Sequence, residues 1–140
     1  MAGRGVQVIA VDRSAGAGAD ETPGVRWVAA DLFDPALDLC ELIGCVPDVC
    51  LHLAWRNGFA HNDESHMDDL SCPLPSSYMN HGPSGVGQIA VMGTMHEVGY
   101  WEGAITADTP CNPQSLYGIA KNALRQGLAL SLAPMPVAFQ

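Results

Sequence analysis

An α/β fold built on a parallel sheet is predicted by three observations. Short, nearly continuous apolar runs rich in β-branched residues recur along the chain, helical or turn-rich segments separate them, and acids or glycines stand where several runs end. "VQVIAVD" (residues 6–12) is the first run; it closes on Asp12 and enters the glycine-rich turn "RSAGAGAD". "VRWVAADL" (25–32) also runs into an aspartate, Asp31. "PALDLCELIG" (35–44) has helical spacing, with Pro35 near its first turn, Leu39, Leu42 and Ile43 on one side and Gly44 as a stop. "DVCLHLAW" (48–55) and "QIAVMGT" (88–94) are buried-type strands. Between them "SCPLPSSYMNHGPSG" (71–85) holds Pro73, Pro75 and Pro83 and reads as a loop, because a proline inside a helix costs about 3 kcal/mol. Ser115 caps the longest helix, expected to run to about residue 133, and "PVAF" (136–139) opens a last strand. This alternation predicts a sheet covered on both faces and shows no internal repeat.

Composition narrows the function. The 140 residues are one domain's worth of material and enough to bury a core. Hydrophobic residues make up 48% and charged ones 15%, with no uniform apolar run of about 18 residues, so a membrane span is not expected. The N-terminus is a poor signal peptide. A net charge of −9 offers no basic patch for phosphate backbones, which argues against a nucleic-acid partner. Five cysteines without a CxxC pattern fit a reducing compartment, and a cytoplasmic location is expected.

In an open parallel sheet, ligands bind outside the carboxyl ends of the strands. Asp12, Asp31, "HLAW" and Gly93-Thr94 stand at those ends, and the helix after the fourth run carries Tyr117 and Lys121. Four residues apart, the phenol and the ammonium share one helix face. That spacing by itself fits a solvated helix surface better than a site, Asp12 and Asp31 have turn acids as their alternative reading, and Thr94 equally fits a turn hydroxyl.

In order, "VIAVDR", "VAADLFD", "DVCLHLAW", "IAVMGTMHEVG" and "TPCNPQSLYGIAKNAL" resemble the second to fifth strands and the catalytic helix of the extended short-chain dehydrogenase/reductases, the NAD-dependent sugar epimerase/dehydratase family. The resemblance covers most of the chain. It implies an incomplete Rossmann-like parallel sheet flanked by helices: a single partial dinucleotide-binding domain over residues 1–140, without the substrate domain. It implies Tyr117 as base toward a sugar hydroxyl, Lys121 favouring the phenolate and holding the nicotinamide ribose, and Thr94 orienting the reacting oxygen. An unassisted tyrosine, with pKa about 10, is too protonated to act as a base near neutrality, which is why a cation beside it is wanted. Asp12 would take the adenosine ribose, an arrangement that favours NAD, while adjacent Arg13 leaves room for NADP. Asp31 and Leu32 would lie beside adenine, Leu53 and Ala54 beneath the cofactor, and His96 and Glu97 in the sugar pocket. The implied partner is a sugar or nucleotide-sugar substrate.

The family's GxxGxxG phosphate loop has no counterpart in the sequence; "AGRG" at 2–5 lacks a strand before it and a helix after it. Without that loop the pyrophosphate loses its backbone donors. The strand that carries the loop lies mid-sheet in the family, so its absence leaves two interior edges that close together, receive a strand from another chain or an oligomer partner, or stay open. Impaired catalysis is the expectation, with a non-catalytic fragment or pseudoenzyme completed by a partner as the alternative. A third reading is an acidic metal-binding module at His61 and His66 in "HNDESHMDD", although their spacing fits a solvated acidic loop better and no metal ligands are assigned. Cys40, Cys45 and Cys50 lack paired zinc-site spacing and read as small core or surface residues. His52 reads as a satisfied buried histidine, and Trp55 and Trp101 as core.

Overall fold

The computed structural model describes residues 5–15, 22–71, 85–134 and 138–140. β1 (Val8–Asp12) and β2 (Val25–Ala29) pair in parallel from Val8 opposite Val25 to Asp12 opposite Ala29. β3 (Val49–His52), β4 (Gln88–Val91) and β5 (Ala138–Phe139) form a second parallel ladder in the order β3-β4-β5, with Cys50 opposite Ile89 and Gln88 opposite Ala138. The expected strands are therefore present, and β1 to β4 are each shorter than the apolar run that announced them. Residues 2–4 of "AGRG", much of the first glycine-rich turn, the proline-rich stretch 72–84 and residues 135–137 lie outside the described residues.

α1 (Leu39–Ile43) starts later than expected. The Asp34 carboxylate accepts from the Ala36 N–H at 2.9 Å and its carbonyl from the Leu37 N–H at 3.1 Å, so Asp34-Pro35 forms a turn of its own. The cap falls to Asp38, whose Oδ1 accepts from the Glu41 N–H at 2.9 Å. Gly44 ends the helix as expected, at φ 74°, donating to the carbonyls of Cys40 and Glu41. An Arg26 Nη2 donates to the Ile43 carbonyl and ties β2 to the end of α1.

α2 (Ser65–Asp68) runs into a 3-10 turn at Asp69–Ser71, and α3 (Leu116–Leu132) is capped by Ser115, whose Oγ accepts from the Gly118 N–H at 3.1 Å. α3 buries Ala120, Leu124, Leu128 and Leu132 at spacings of four, one stripe facing inward. With Leu39, Cys40 and Ile43 of α1, Cys50 of β3, Ile89 of β4 and Val86, the three leucines form the core, each worth about 1.5–3 kcal/mol when fully buried. Ile9 and Val11 of β1 pack against the same cluster. One core thus spans both ladders, although β1 and β3 share no ladder bonds.

On β3, Cys50 and His52 are buried, whereas alternate residues Val49 and Leu51 are 55% and 52% exposed, so among the described residues cover on both faces is not seen at this strand. Of the three fates of the interior edges, closing together is not the one the described residues show, since β1 and β3 lie in separate ladders.

Candidate active site

The residues singled out at the strand ends fall into two groups. At the end of β1, Asp12 is exposed and its Oδ1 accepts from both the hydroxyl and, at 2.7 Å, the N–H of Ser14. The hydroxyl contact chiefly, then the backbone one, holds the Asp12 carboxyl below the usual aspartate range. Arg13 follows it in the exposed turn. Beyond β2, Asp31 accepts from the Phe33 N–H at 3.0 Å and stays exposed, while Leu32 is half-buried against the core. After β3, Leu53 is 57% exposed and Ala54 half-buried.

The second group gathers where β4 meets α3. Thr94 follows β4 and caps a 3-10 turn, Met95–Glu97: its Oγ1 accepts from the His96 N–H at 3.3 Å, and its own N–H donates to Glu97 Oε1 at 2.9 Å. Arg125 Nε donates to the other Glu97 oxygen at 3.1 Å, so both oxygens of this buried carboxylate are engaged within the chain. Gly118 makes the close approach possible, since a Cβ there would lie 2.4 Å from the His96 carbonyl oxygen. The turn carrying Thr94 therefore rests directly on the first coil of α3.

On that coil Tyr117 is half-buried, and its N–H donates to the His61 carbonyl at 2.9 Å, satisfying a helix N-terminal donor. Its ring lies 5.7 Å from His61 in a stacked arrangement, 5.5 Å from His96, 5.3 Å from His66 and 6.0 Å from Trp55. One turn on, Lys121 is 4% exposed; its Nζ donates to the Met92 carbonyl at 2.8 Å and lies 4.3 Å from the Trp55 ring centroid. Burial holds the Lys121 ammonium below the usual lysine range, an effect that the Glu97 carboxylate opposes. The Trp55 indole thus touches both members of the pair.

Several neighbours differ from their sequence reading. "HNDESHMDD" is only in part a solvated acidic stretch: Asp63, Glu64 and Asp68 are exposed, but His66 is fully buried, the His61 and His96 rings lie 4.2 Å apart, and buried Asp69 pairs with Arg56 Nε at 2.6 Å. Among the described residues no group of three or more His, Cys, Asp or Glu converges as metal ligands. His52 is buried but not satisfied, because its Nε2 has no partner among the described residues. Trp101 is 44% exposed rather than core. Cys40 and Cys50 are buried and Cys45 is exposed. The Thr94–Glu97 cap was readable as a T-x-x-E pattern, whereas contacts of Trp55 and His66 across eleven residues leave no local signal.

No family model matches the chain. The sequence is 41% identical over 109 residues to the dTDP-6-deoxy-L-talose 4-dehydrogenase (NAD(+)) of Aggregatibacter actinomycetemcomitans, a match covering 75% of this chain and 38% of that protein. Among solved structures, the UDP-glucose 4-epimerase of Thermotoga maritima superimposes with a TM-score of 0.74 at 18% identity, over 96% of this chain and 46% of that one. The dTDP-glucose 4,6-dehydratase of Streptomyces venezuelae gives 0.71 at 22%, over 95% and 44%. The Bordetella bronchiseptica enzyme WbmH, crystallised with NAD+, gives 0.69 at 21%, over 98% and 47%. The chain spans less than half the length of each of these proteins. Over the part it spans, it has their Rossmann fold, and the chain belongs to the NAD-dependent sugar epimerase/dehydratase family of the short-chain dehydrogenase/reductases.

Proposed function

We propose that the chain carries the proton-relay ledge of an NAD-dependent oxidoreductase or epimerase acting on a nucleotide-sugar hydroxyl. The observation that carries this reading is the meeting of Tyr117, Lys121 and the Thr94 turn where β4 abuts α3, with Lys121 held on the carbonyl of Met92. The phenol oxygen of Tyr117 has no hydrogen-bond partner among the described residues and is open to a substrate hydroxyl. Lys121, one turn on along the same helix face, is the cation of the relay pair. Thr94 Oγ1 already accepts from a backbone N–H, which leaves its own hydrogen to donate to the reacting oxygen. His96, at the edge of Tyr117, stands on the substrate side, whereas Glu97, buried with both oxygens engaged within the chain, braces the Thr94 turn instead of contacting the sugar as the resemblance implied.

Asp12 fits a cofactor ribose: it is ionised, exposed, and only its Oδ1 is taken. With Asp31, Leu32, Leu53, Ala54 and Lys121 it would hold NAD, and Arg13 would offset a 2′-phosphate if NADP bound. Bound nicotinamide supplies the hydride acceptor; the chain's residues orient the carbinol and move its proton. Calorimetric titration with NAD tests this. We expect dissociation tighter than millimolar, more than about 4 kcal/mol of binding, weakened about ten-fold by Asp12→Asn. Millimolar or absent binding would favour a second reading, a non-catalytic module completed by a partner, for which the unpaired edges of β1 and β3 speak.

A further inference from the structure

Three contacts run in series behind Tyr117. The Lys121 ammonium lies over the face of Trp55, 4.3 Å from the ring centroid. Trp55 Nε1–H donates to His66 Nδ1 at 3.1 Å, and His66 Nε2 lies 3.0 Å from the Ala60 carbonyl oxygen. Tyr117 packs edge-on against Trp55 and at 50° against His66. An indole nitrogen only donates and a carbonyl oxygen only accepts, so the contacts define the imidazole: Nδ1 carries the lone pair and Nε2 the proton.

From this chain of contacts we infer that His66 is a positioning residue, which fixes the Trp55 indole so that its face receives Lys121 and its edge receives Tyr117. The inference rests on reading Tyr117 and Lys121 as the relay pair; His66 itself touches no reacting atom. A neutral imidazole suits the task because it accepts from one neighbour and donates to another across a rigid ring. Phenylalanine would fill the volume and orphan the indole N–H. Asparagine would keep an acceptor near the Nδ1 position.

The test is nitrogen-15 NMR of the whole 140-residue chain, joined to turnover of a dTDP-sugar with NAD. In the wild type the Nε2–H tautomer of His66 is expected; an Nδ1–H tautomer overturns the inference without any variant. His66→Phe is expected to shift the Trp55 indole N–H resonance and the Lys121 ε-methylene protons, with His66→Asn restoring most of the indole shift. It is also expected to lower kcat about ten-fold while the KM for NAD stays within about two-fold, a split that His66→Asn narrows. Unmoved Lys121 signals in His66→Phe overturn the inference, as does an unchanged kcat. If His66→Phe does not fold, the wild-type tautomer and the Lys121 shift caused by Trp55→Leu decide. If the wild type shows no turnover, the relay reading fails, and the tautomer and Lys121 signals still decide whether His66 positions the indole.

Discussion

His52 stands at the end of β3, 3% exposed, with a ring nitrogen that finds no partner among the described residues. Burial, helped by the nearby Lys121 ammonium, pulls its pKa from 6.5 to about 4. The unfolded chain therefore takes up a proton that the folded chain refuses between those two values. Stability from this residue is fully present above pH 6.5 and is lost as pH falls toward 4, on the order of 3 kcal/mol over that window. Urea denaturation of the wild type against His52→Leu at several pH values measures it: the leucine variant should lose less stability on acidification, and parallel curves would refute the assignment. At this scale the sequence was informative where the chemistry is local. Ser115 as cap, Gly44 as stop and the shared face of Tyr117 and Lys121 were all legible. Trp55, His66 and Arg125 were not, because their roles come from partners 11 to 28 residues away.

α3 and the Met95–Glu97 turn form the mechanical unit of the site, and two glycines of α3 separate contact from propensity. Gly118→Ala would push a Cβ to 2.4 Å from the His96 carbonyl oxygen, so helix and turn must part. The expected cost is about 1–3 kcal/mol, with reduced NAD-linked turnover because Thr94 moves with the turn. Gly127→Ala meets nothing within 4 Å and should stabilise the helix by about 0.5–1 kcal/mol, leaving turnover unchanged. Chemical denaturation of both variants checks the pair; equal effects would mean that the Gly118 approach is not needed. Element boundaries were the less legible part. The Pro35 signal announced a helix at 35, but the Asp34 carboxylate captured that turn first and moved the start to Asp38.

For the whole molecule, the order of runs along the chain was enough to read a parallel α/β sheet and the family it resembles, since strand type and sequence order are written in composition. How the sheet closes was not, because pairing across the interior depends on what lies between β1 and β3. Their open edges carry a measurable consequence. Alternate amides of a parallel strand face opposite neighbours, so every second amide of β1 and β3 should exchange hydrogen rapidly while those bonded to β2 and β4 stay protected. Uniform protection along both strands would mean that the edges are covered in solution. A partner that supplies a strand should slow the fast set.

The most direct measurement is turnover of dTDP-6-deoxy-L-talose, the sugar nucleotide named in the relative's activity, with NAD by the wild type and by Tyr117→Phe. A phenol that takes the hydroxyl proton requires the variant to fall by about 10²- to 10⁴-fold, with cofactor binding retained. Equal turnover in the two proteins, or none in the wild type while NAD binds, would contradict the assignment of Tyr117 as the base.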